Sequence, residues 1–173
     1  MTTNSDNIRV LIAVASKHGA TRGIADAIAA ELRRRGLDAE VREAAEVRDI
    51  GGYDAVILGS AVYMGKWLPA ARELAASQRE ALAQLPVWLF SSGPLGHENP
   101  QPQGEPAQLG RLLAETNARG HRIFAGELDK RELGAGERLL ARAVKAPEGD
   151  FRDWDAIRAW ADEIAAALAP ARR

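Results

Sequence analysis

A chain of 173 residues, 46% hydrophobic and 27% charged, is long enough for one sizeable core and has an ordinary globular composition. Its net charge of −1 supplies no global field that would draw it to nucleic acid or to an anionic membrane. The absence of cysteine excludes disulfides, thiolate metal sites, iron–sulfur clusters and a cysteine nucleophile. It also agrees with a reducing compartment. The polar opening "MTTNSDNI" has no signal-peptide core, and no apolar run approaches the ~20 residues of a spanning helix. The expectation is a cytoplasmic single domain over 1–173, with its core at about 8–169.

Val10 to Ala15 is short, continuous and apolar, the pattern of a strand covered on both faces. Ile24, Ile28 and Leu32 then recur every fourth residue, which predicts an amphipathic helix from Thr21 that stops near Gly36. "LDAEVREA" reads as a second, weaker strand and "YDAVILGSAV" as a third. Pro69 opens the next helix, where its missing N–H costs little. Leu68, Ala71, Leu74 and Ala75 mark the apolar face of that helix. "PVWLFSS" is a fourth strand, "GPLGHENPQPQGEP" a loop, Ala107 to Asn117 a short helix and "HRIFAGEL" a fifth strand. A final helix starts at about Asp153, with Trp154, Ile157, Ala161, Ile164 and Leu168 along one stripe. Strands alternating with helices predict a parallel sheet with helices on both faces. Ligands in such sheets bind beyond the carboxyl ends of the strands. The loops that matter are therefore Ser16 to Thr21, Gly59 to Trp67, Ser91 to Pro106 and Glu127 to Asp150.

The first of these loops, "SKHGAT", offers hydroxyls at Ser16 and Thr21, a glycine for close backbone approach, and the start of a helix. The first turn of a helix has unpaired N–H groups and the positive end of the dipole, which together favour a phosphate. Neither G-x-G-x-x-G nor G-K-[ST] is present, so this is neither the dinucleotide fingerprint nor a P-loop. An ordinary strand-to-helix turn with Thr21 near the cap is the alternative. "GSAVYMGKW" adds Ser60, Tyr63, Gly65 and Trp67 at the end of the third strand. "SSGPLGH" adds Ser91, Ser92, Gly93 and His97 at the end of the fourth. A planar ring needs apolar faces above and below it and backbone donors and acceptors at its edge, and these loops offer both.

Taken in this order, the loops resemble the flavodoxin family. Its phosphate loop, [ST]-x-T-G-x-T before a helix, is matched by "SKHGATRGIADAI" at Ser16, Gly19 and Thr21, with His18 replacing the middle threonine. The resemblance extends to "IFAGELD" and "FRDWDAIRAWADEIA" and so to nearly the whole chain. It is nearest to the branch that includes the menaquinone-dependent protoporphyrinogen oxidases of bacteria. In "GSAVYMGKW" the glycines, the serine and Trp67 follow that branch, while Tyr63 and Met64 stand where an arginine–tyrosine pair is more usual. The resemblance implies a three-layer α/β flavodoxin-like fold. Its five-stranded parallel sheet would run in the order 2-1-3-4-5, with helices on both faces. It also implies FMN as cofactor. The phosphate would be held by Ser16, Lys17, His18, Gly19, Ala20 and Thr21. The ring would be held by Ser60, Ala61, Val62, Tyr63, Gly65 and Trp67, and by Ser91, Ser92, Gly93, Pro94 and Gly96. Two features depart from the pattern. The segment "KRELGAGERLLARAVKAPEGDFRDW" is shorter than the basic insertion of those oxidases, and the loop after the fourth strand lacks a second stacking tyrosine.

Several residues carry a rival reading. Lys17 and His18 are either phosphate neighbours or solvated loop charges. Trp67 either covers a ring face or packs the start of the following helix. His97 reads as exposed in a proline-rich loop rather than as a proton shuttle. Trp88, Trp154 and Trp160 read as core. "ERLLARAVKA" reads as a helix packed on the sheet with a solvated basic edge rather than as a membrane contact. No residue stands out as an acid–base catalyst, and no metal site is expected. The leading expectation is an FMN-dependent oxidoreductase with a small-molecule or protein redox partner, its substrate of porphyrinogen or quinone type. The alternatives are a non-catalytic electron carrier, for which the near-neutral charge is atypical, and a cofactor-free interaction protein of the same fold.

Overall fold

The structure is a computed structural model that describes residues 7–63, 65–93, 109–128, 149–150 and 152–169. In chain order the elements are β1 (Arg9–Ala15), α1 (Ala20–Arg34), β2 (Asp38–Glu43), a 3-10 turn (Ala44–Glu46), β3 (Ala55–Tyr63), β4 (Lys66–Trp67), α2 (Pro69–Ser77) and α3 (Arg79–Ala83). After these come β5 (Val87–Ser92), α4 (Leu109–Thr116), β6 (Gly120–Phe124), β7 (Glu127–Leu128), β8 (Gly149–Asp150) and α5 (Trp154–Leu168).

Five strands pair in parallel in the order β2-β1-β3-β5-β6, and the two-residue β4 folds back antiparallel on β3. With β4 set aside as a hairpin arm, this is the expected order. One expected strand divides. "HRIFAGEL" gives β6 in the main sheet and then β7, which leaves the sheet and pairs antiparallel with β8. Gly126 marks the break. A Cβ there would stand 3.3 Å from Ser92 Oγ and 3.5 Å from the Gly93 backbone, so the chain passes too close to the end of β5 to continue in register.

Alternation along the buried strands sends side chains to two cores. Val10, Ile12, Val14, Ile57 and Phe90 face α1 and α5, where Ile24, Ile28, Leu32, Ile157 and Ile164 meet them. Leu11, Ala13, Leu58 and Leu89 face the opposite layer, with Ala71, Leu74, Leu82 and Leu112 of α2, α3 and α4. The four-residue apolar spacing of α1 is the reason it docks, since Ile24, Ile28 and Leu32 are all fully buried. Asp153 caps α5, its carboxylate accepting the Ala156 N–H at 3.0 Å.

The first core is closed by aromatic packing. The rings of Phe90, Phe124 and Trp160 meet pairwise at 5.6 to 6.3 Å between centroids, two of the pairs edge to face. Room for Phe90 comes from Gly59 on the neighbouring strand, where any Cβ would fall inside the Phe90 ring. Gly59→Ala should therefore destabilise the fold by about 1–3 kcal/mol, the usual cost of overpacking a dense core. Chemical denaturation measures this, and an unchanged midpoint would show that the ring has room to move aside.

Candidate functional site

Parallel pairing places Ala15, Ser60 and Ser91 in one row across the carboxyl ends of β1, β3 and β5. The loops that leave this row bring together the residues the sequence singles out. Beyond β1 the chain turns through Ser16 to Gly19, and α1 begins at Ala20. Gly19 is left-handed at φ 86°, a conformation L side chains rarely adopt, and the space beside its Cα is open. Its N–H donates to Ser16 Oγ at 3.0 Å, which closes the loop on itself. No side chain caps α1, so the N–H groups of its first turn face the loop together with the positive end of the dipole.

Thr21 lies in this first turn, 2% exposed, and its hydroxyl has no hydrogen-bond partner among the described residues. A buried hydroxyl without a partner is costly. An uncapped helix end beside it, next to a glycine open to approach, has the donor set of an anion site. The residues present thus fit a phosphate group. Lys17 and His18 are exposed on the loop. The Lys17 ammonium lies over the Tyr63 ring, 3.9 Å from its centroid, and so joins the first loop to the next one.

After β3 the chain makes a tight hairpin. Val62 pairs with Trp67 and Tyr63 with Lys66, and Gly65 takes φ 74° in the turn. At 39% exposure, Tyr63 is the large hydrophobic side chain left in solvent among the described residues. It presents an aromatic face beside the anion loop. Trp67 does the opposite. Its indole is 1% exposed in the core against α2, and its N–H donates to Ser91 Oγ at 2.8 Å. The expectation that Trp67 covers a ring face is corrected to its rival, packing, because alternation along the short β4 turns Trp67 inward.

The serines are also turned inward. Ser60 is fully buried, accepts the Leu68 N–H at 2.9 Å and donates to the Ala61 carbonyl at 2.8 Å. Ser91 is fully buried between Trp67 and His121 Nε2, which lies at 2.8 Å. Ser92 is 4% exposed. Ala61 and Val62 are half-buried on the rising arm of the hairpin. Gly93, at φ 97°, turns out of β5 with its N–H on the Phe124 carbonyl at 3.0 Å. Pro94, Gly96 and His97, and the segment 137–146, lie outside the described residues.

Two residues of this region carry no advance signal in the sequence. His121 stands at the start of β6; burial, reinforced by the Arg122 guanidinium, pushes its imidazole down to about 4. Arg152 precedes the last helix. It makes a forked pair with Asp150 (2.7 and 2.8 Å), lies over Trp154 (4.6 Å to the ring) and donates to the Ala20 carbonyl at 3.3 Å. Among the described residues no group of three or more His, Asp or Glu is placed to hold a metal ion, and no helix is long and apolar enough to cross a membrane. A cavity of about 380 Å³ beside Gln84, Pro86, Asn117 and Arg119 lies at the amino end of β5, on the edge opposite these loops.

The depressed His121 pKa makes stability pH-dependent. The unfolded imidazole binds a proton below its ordinary value of about 6.5, while the folded one resists protonation down to about 4. Stability is thus fully present above pH ~6.5 and falls progressively as the pH drops toward ~4. The loss should be on the order of 2 kcal/mol, less than full linkage gives because the ring is not sealed from water. Denaturation midpoints at pH 7 and pH 4.5 measure it, and His121→Gln should flatten the slope in that window.

Residues 11–155 match the family model described as Flavodoxin domain. Among curated proteins none matches the chain in sequence. Solved structures do match in shape. A flavodoxin from the domain Archaea superposes with a TM-score of 0.63 at 14% identity, over 92% of this chain and 98% of that one. The flavodoxin of Streptococcus pneumoniae superposes at 0.60 with 20% identity, over 92% and 99%. The rubredoxin:oxygen oxidoreductase of Desulfovibrio gigas gives 0.64 at 16% identity, over 92% of this chain and 36% of that longer one. The family model spans most of the chain, and the strand order and the loop at Ser16 to Thr21 accord with it: the chain belongs to the flavodoxin domain family.

Proposed function

We propose that the protein is an FMN-binding redox protein and acts as an oxidoreductase. The observation that carries this reading is the uncapped start of α1, with a buried Thr21 hydroxyl that has no partner among the described residues inside it and the exposed Tyr63 ring beside it. FMN, when bound, supplies the electron and hydride chemistry. The chain's own residues hold and orient it. The first-turn N–H groups of α1 and the Thr21 hydroxyl take the phosphate, with Lys17 near enough to add charge. Ser16 shapes the loop through its bond to Gly19. Tyr63 offers an apolar face to the ring, and the backbone at Ser60–Gly65 and Ser91–Gly93 lines its edge. The indole of Trp67 supports the hairpin from below and leaves ring contact to Tyr63.

A porphyrinogen- or quinone-type substrate is the finer reading. It rests on the likeness of "GSAVYMGKW", "IFAGELD" and "FRDWDAIRAWADEIA" to the menaquinone-dependent protoporphyrinogen oxidases. An electron carrier is the second reading, supported by the full-length superposition on free-standing flavodoxins. The net charge of −1 favours the enzyme, because carriers that dock by electrostatic steering rely on a strong charge of one sign.

Purified protein should be yellow or turn so with added FMN, showing the red-shifted, structured spectrum of a bound flavin. No binding of added FMN would overturn the reading. Turnover of a porphyrinogen with a quinone, against reduction of one-electron protein partners, then separates enzyme from carrier. Thr21→Val should weaken FMN binding about 10- to 100-fold, the worth of a hydrogen bond to a charged group. It should leave stability unchanged or slightly raised, because it replaces a partnerless buried hydroxyl by a methyl of the same shape. Unchanged affinity would refute the phosphate assignment.

A further inference from the structure

Trp67, Ser91 and His121 come from three strands and meet in one hydrogen-bonded chain just beneath the strand ends. We propose that His121 is a positioning residue for the candidate ring site: by accepting the Ser91 hydroxyl proton, it fixes the Trp67 indole and with it the hairpin that carries Tyr63. The link to a ring rests on the flavin reading, while the effect on the hairpin stands without it.

The direction of the chain follows from what each group is able to do. The Trp67 indole N–H is a donor only, so Ser91 Oγ accepts from it. Ser91 has one proton of its own, and among the described residues the atom that meets it is His121 Nε2. An Nε2 that accepts this proton is the bare nitrogen of a neutral imidazole whose own proton is on Nδ1, the tautomer that leaves no buried Ser91 proton without an acceptor. The chain runs Trp67 N–H to Ser91 O–H to His121 Nε2, at 2.8 Å in each step. Removal of the final acceptor leaves a fully buried hydroxyl with an orphaned proton. Rotation of Ser91 toward another acceptor would then break its bond to the indole.

That bond adds direction to an indole that core packing already holds. The ladder of the hairpin is two residue pairs long, and a ribbon of that size has no stability of its own. Its backbone is tied at the base, where Ser60 Oγ takes the Leu68 N–H and Arg72 Nε donates to the Trp67 carbonyl at 3.1 Å. The β3 arm is paired with β5 as far as Ala61 and Ser92, while the β4 arm reaches β5 through the indole, whose polar partner among the described residues is Ser91. Trp67 and Tyr63 stand on the two arms of the same short turn, so the placement of the indole is coupled to the Tyr63 backbone through the Val62–Trp67 and Tyr63–Lys66 pairs.

The test is made on the ¹⁵N-labelled, flavin-free protein and repeated with FMN as the probe ligand. His121→Leu removes the acceptor, and His121→Gln restores one through its amide oxygen. In His121→Leu the Trp67 indole N–H, assigned with Trp67→Phe, should shift upfield and exchange with solvent roughly tenfold faster, the value of one lost hydrogen bond. The Tyr63 and Lys66 amides should follow, while the Trp160 indole and the β1 amides stay as they were. FMN affinity should fall about tenfold in His121→Leu and recover in His121→Gln. Should His121→Leu fail to fold, Ser91→Ala carries the same expectation for the indole. Unchanged indole and hairpin exchange in the folded variant would overturn the proposal. So would an equal rise at every indole, a loss that Gln does not rescue, or an FMN affinity that ignores the change. If the wild-type protein binds no FMN, the flavin reading fails, and the exchange measurements alone decide whether His121 holds the hairpin.

Discussion

Parallel pairing of β1, β3 and β5 is the constraint on which the rest of the site depends. It sets Ala15, Ser60 and Ser91 in one row where β1 ends and β3 and β5 near their ends, and so makes three loops leave the same edge of the sheet. An antiparallel sheet would send alternate loops to opposite edges. The row is also made of small residues, which lets the chain turn sharply above it without lifting the loops away. Phe90 and Gly59 hold the register one step below, since the ring fills the place a side chain on β3 would need. A slip of one residue would put a Cβ into that ring and send every buried side chain to the wrong core.

Most of this frame is legible in the sequence because it comes from short-range patterns. Val10 to Ala15 is continuous and apolar, and it becomes a strand buried on both faces. Ile24, Ile28 and Leu32 follow the helical period and become the docked stripe of α1. Gly19 stands where a left-handed residue must open the helix. What escapes the sequence is set by close approach between distant segments. The end of the fifth strand breaks because Gly126 passes against Gly93 and Ser92, which no local pattern announces. Trp67 faces inward because a two-residue turn fixes its register on β3, and the residue type allows either side. His121 is unreadable for the same reason: its partner lies thirty positions away on the next strand.

The serines show how a motif can place a residue correctly and leave its task open. Ser16, Ser60 and Ser91 are all at strand ends, where hydroxyls facing a ligand are expected. In the structure each hydroxyl is taken by the scaffold: Ser16 by Gly19, Ser60 by Leu68 and Ala61, Ser91 by Trp67 and His121. This follows from the cost of buried polar groups. A hydroxyl sealed under a loop must find a partner within the protein, and a ligand that comes and goes is a poor substitute. Thr21 differs. At 2% exposure it has no partner among the described residues, as Ser92 has none, but unlike Ser92 it sits where the helix N–H groups also lack one. What sets Thr21 apart is its place in the uncapped first turn of α1, where the helix N–H groups lie beside it.

An anion site built from a helix end is only as well defined as the placement of that end. α1 is held on its far side by Arg152, which lies over the first turn with its guanidinium on the Ala20 carbonyl. The seat exists because residue 23 is glycine; a Cβ there would come within 2.5 Å of the guanidinium. Asp150 takes the other side of the fork, and the pairing holds its carboxyl below the usual carboxylate range. Arg152 thus joins Asp150 to the first turn of α1 through one guanidinium. The attraction at the loop comes from the helix dipole, the first-turn N–H groups and Lys17. One fork of Arg152 with Asp150 fixes where the helix starts, and the open turn at Gly19 determines what it can hold.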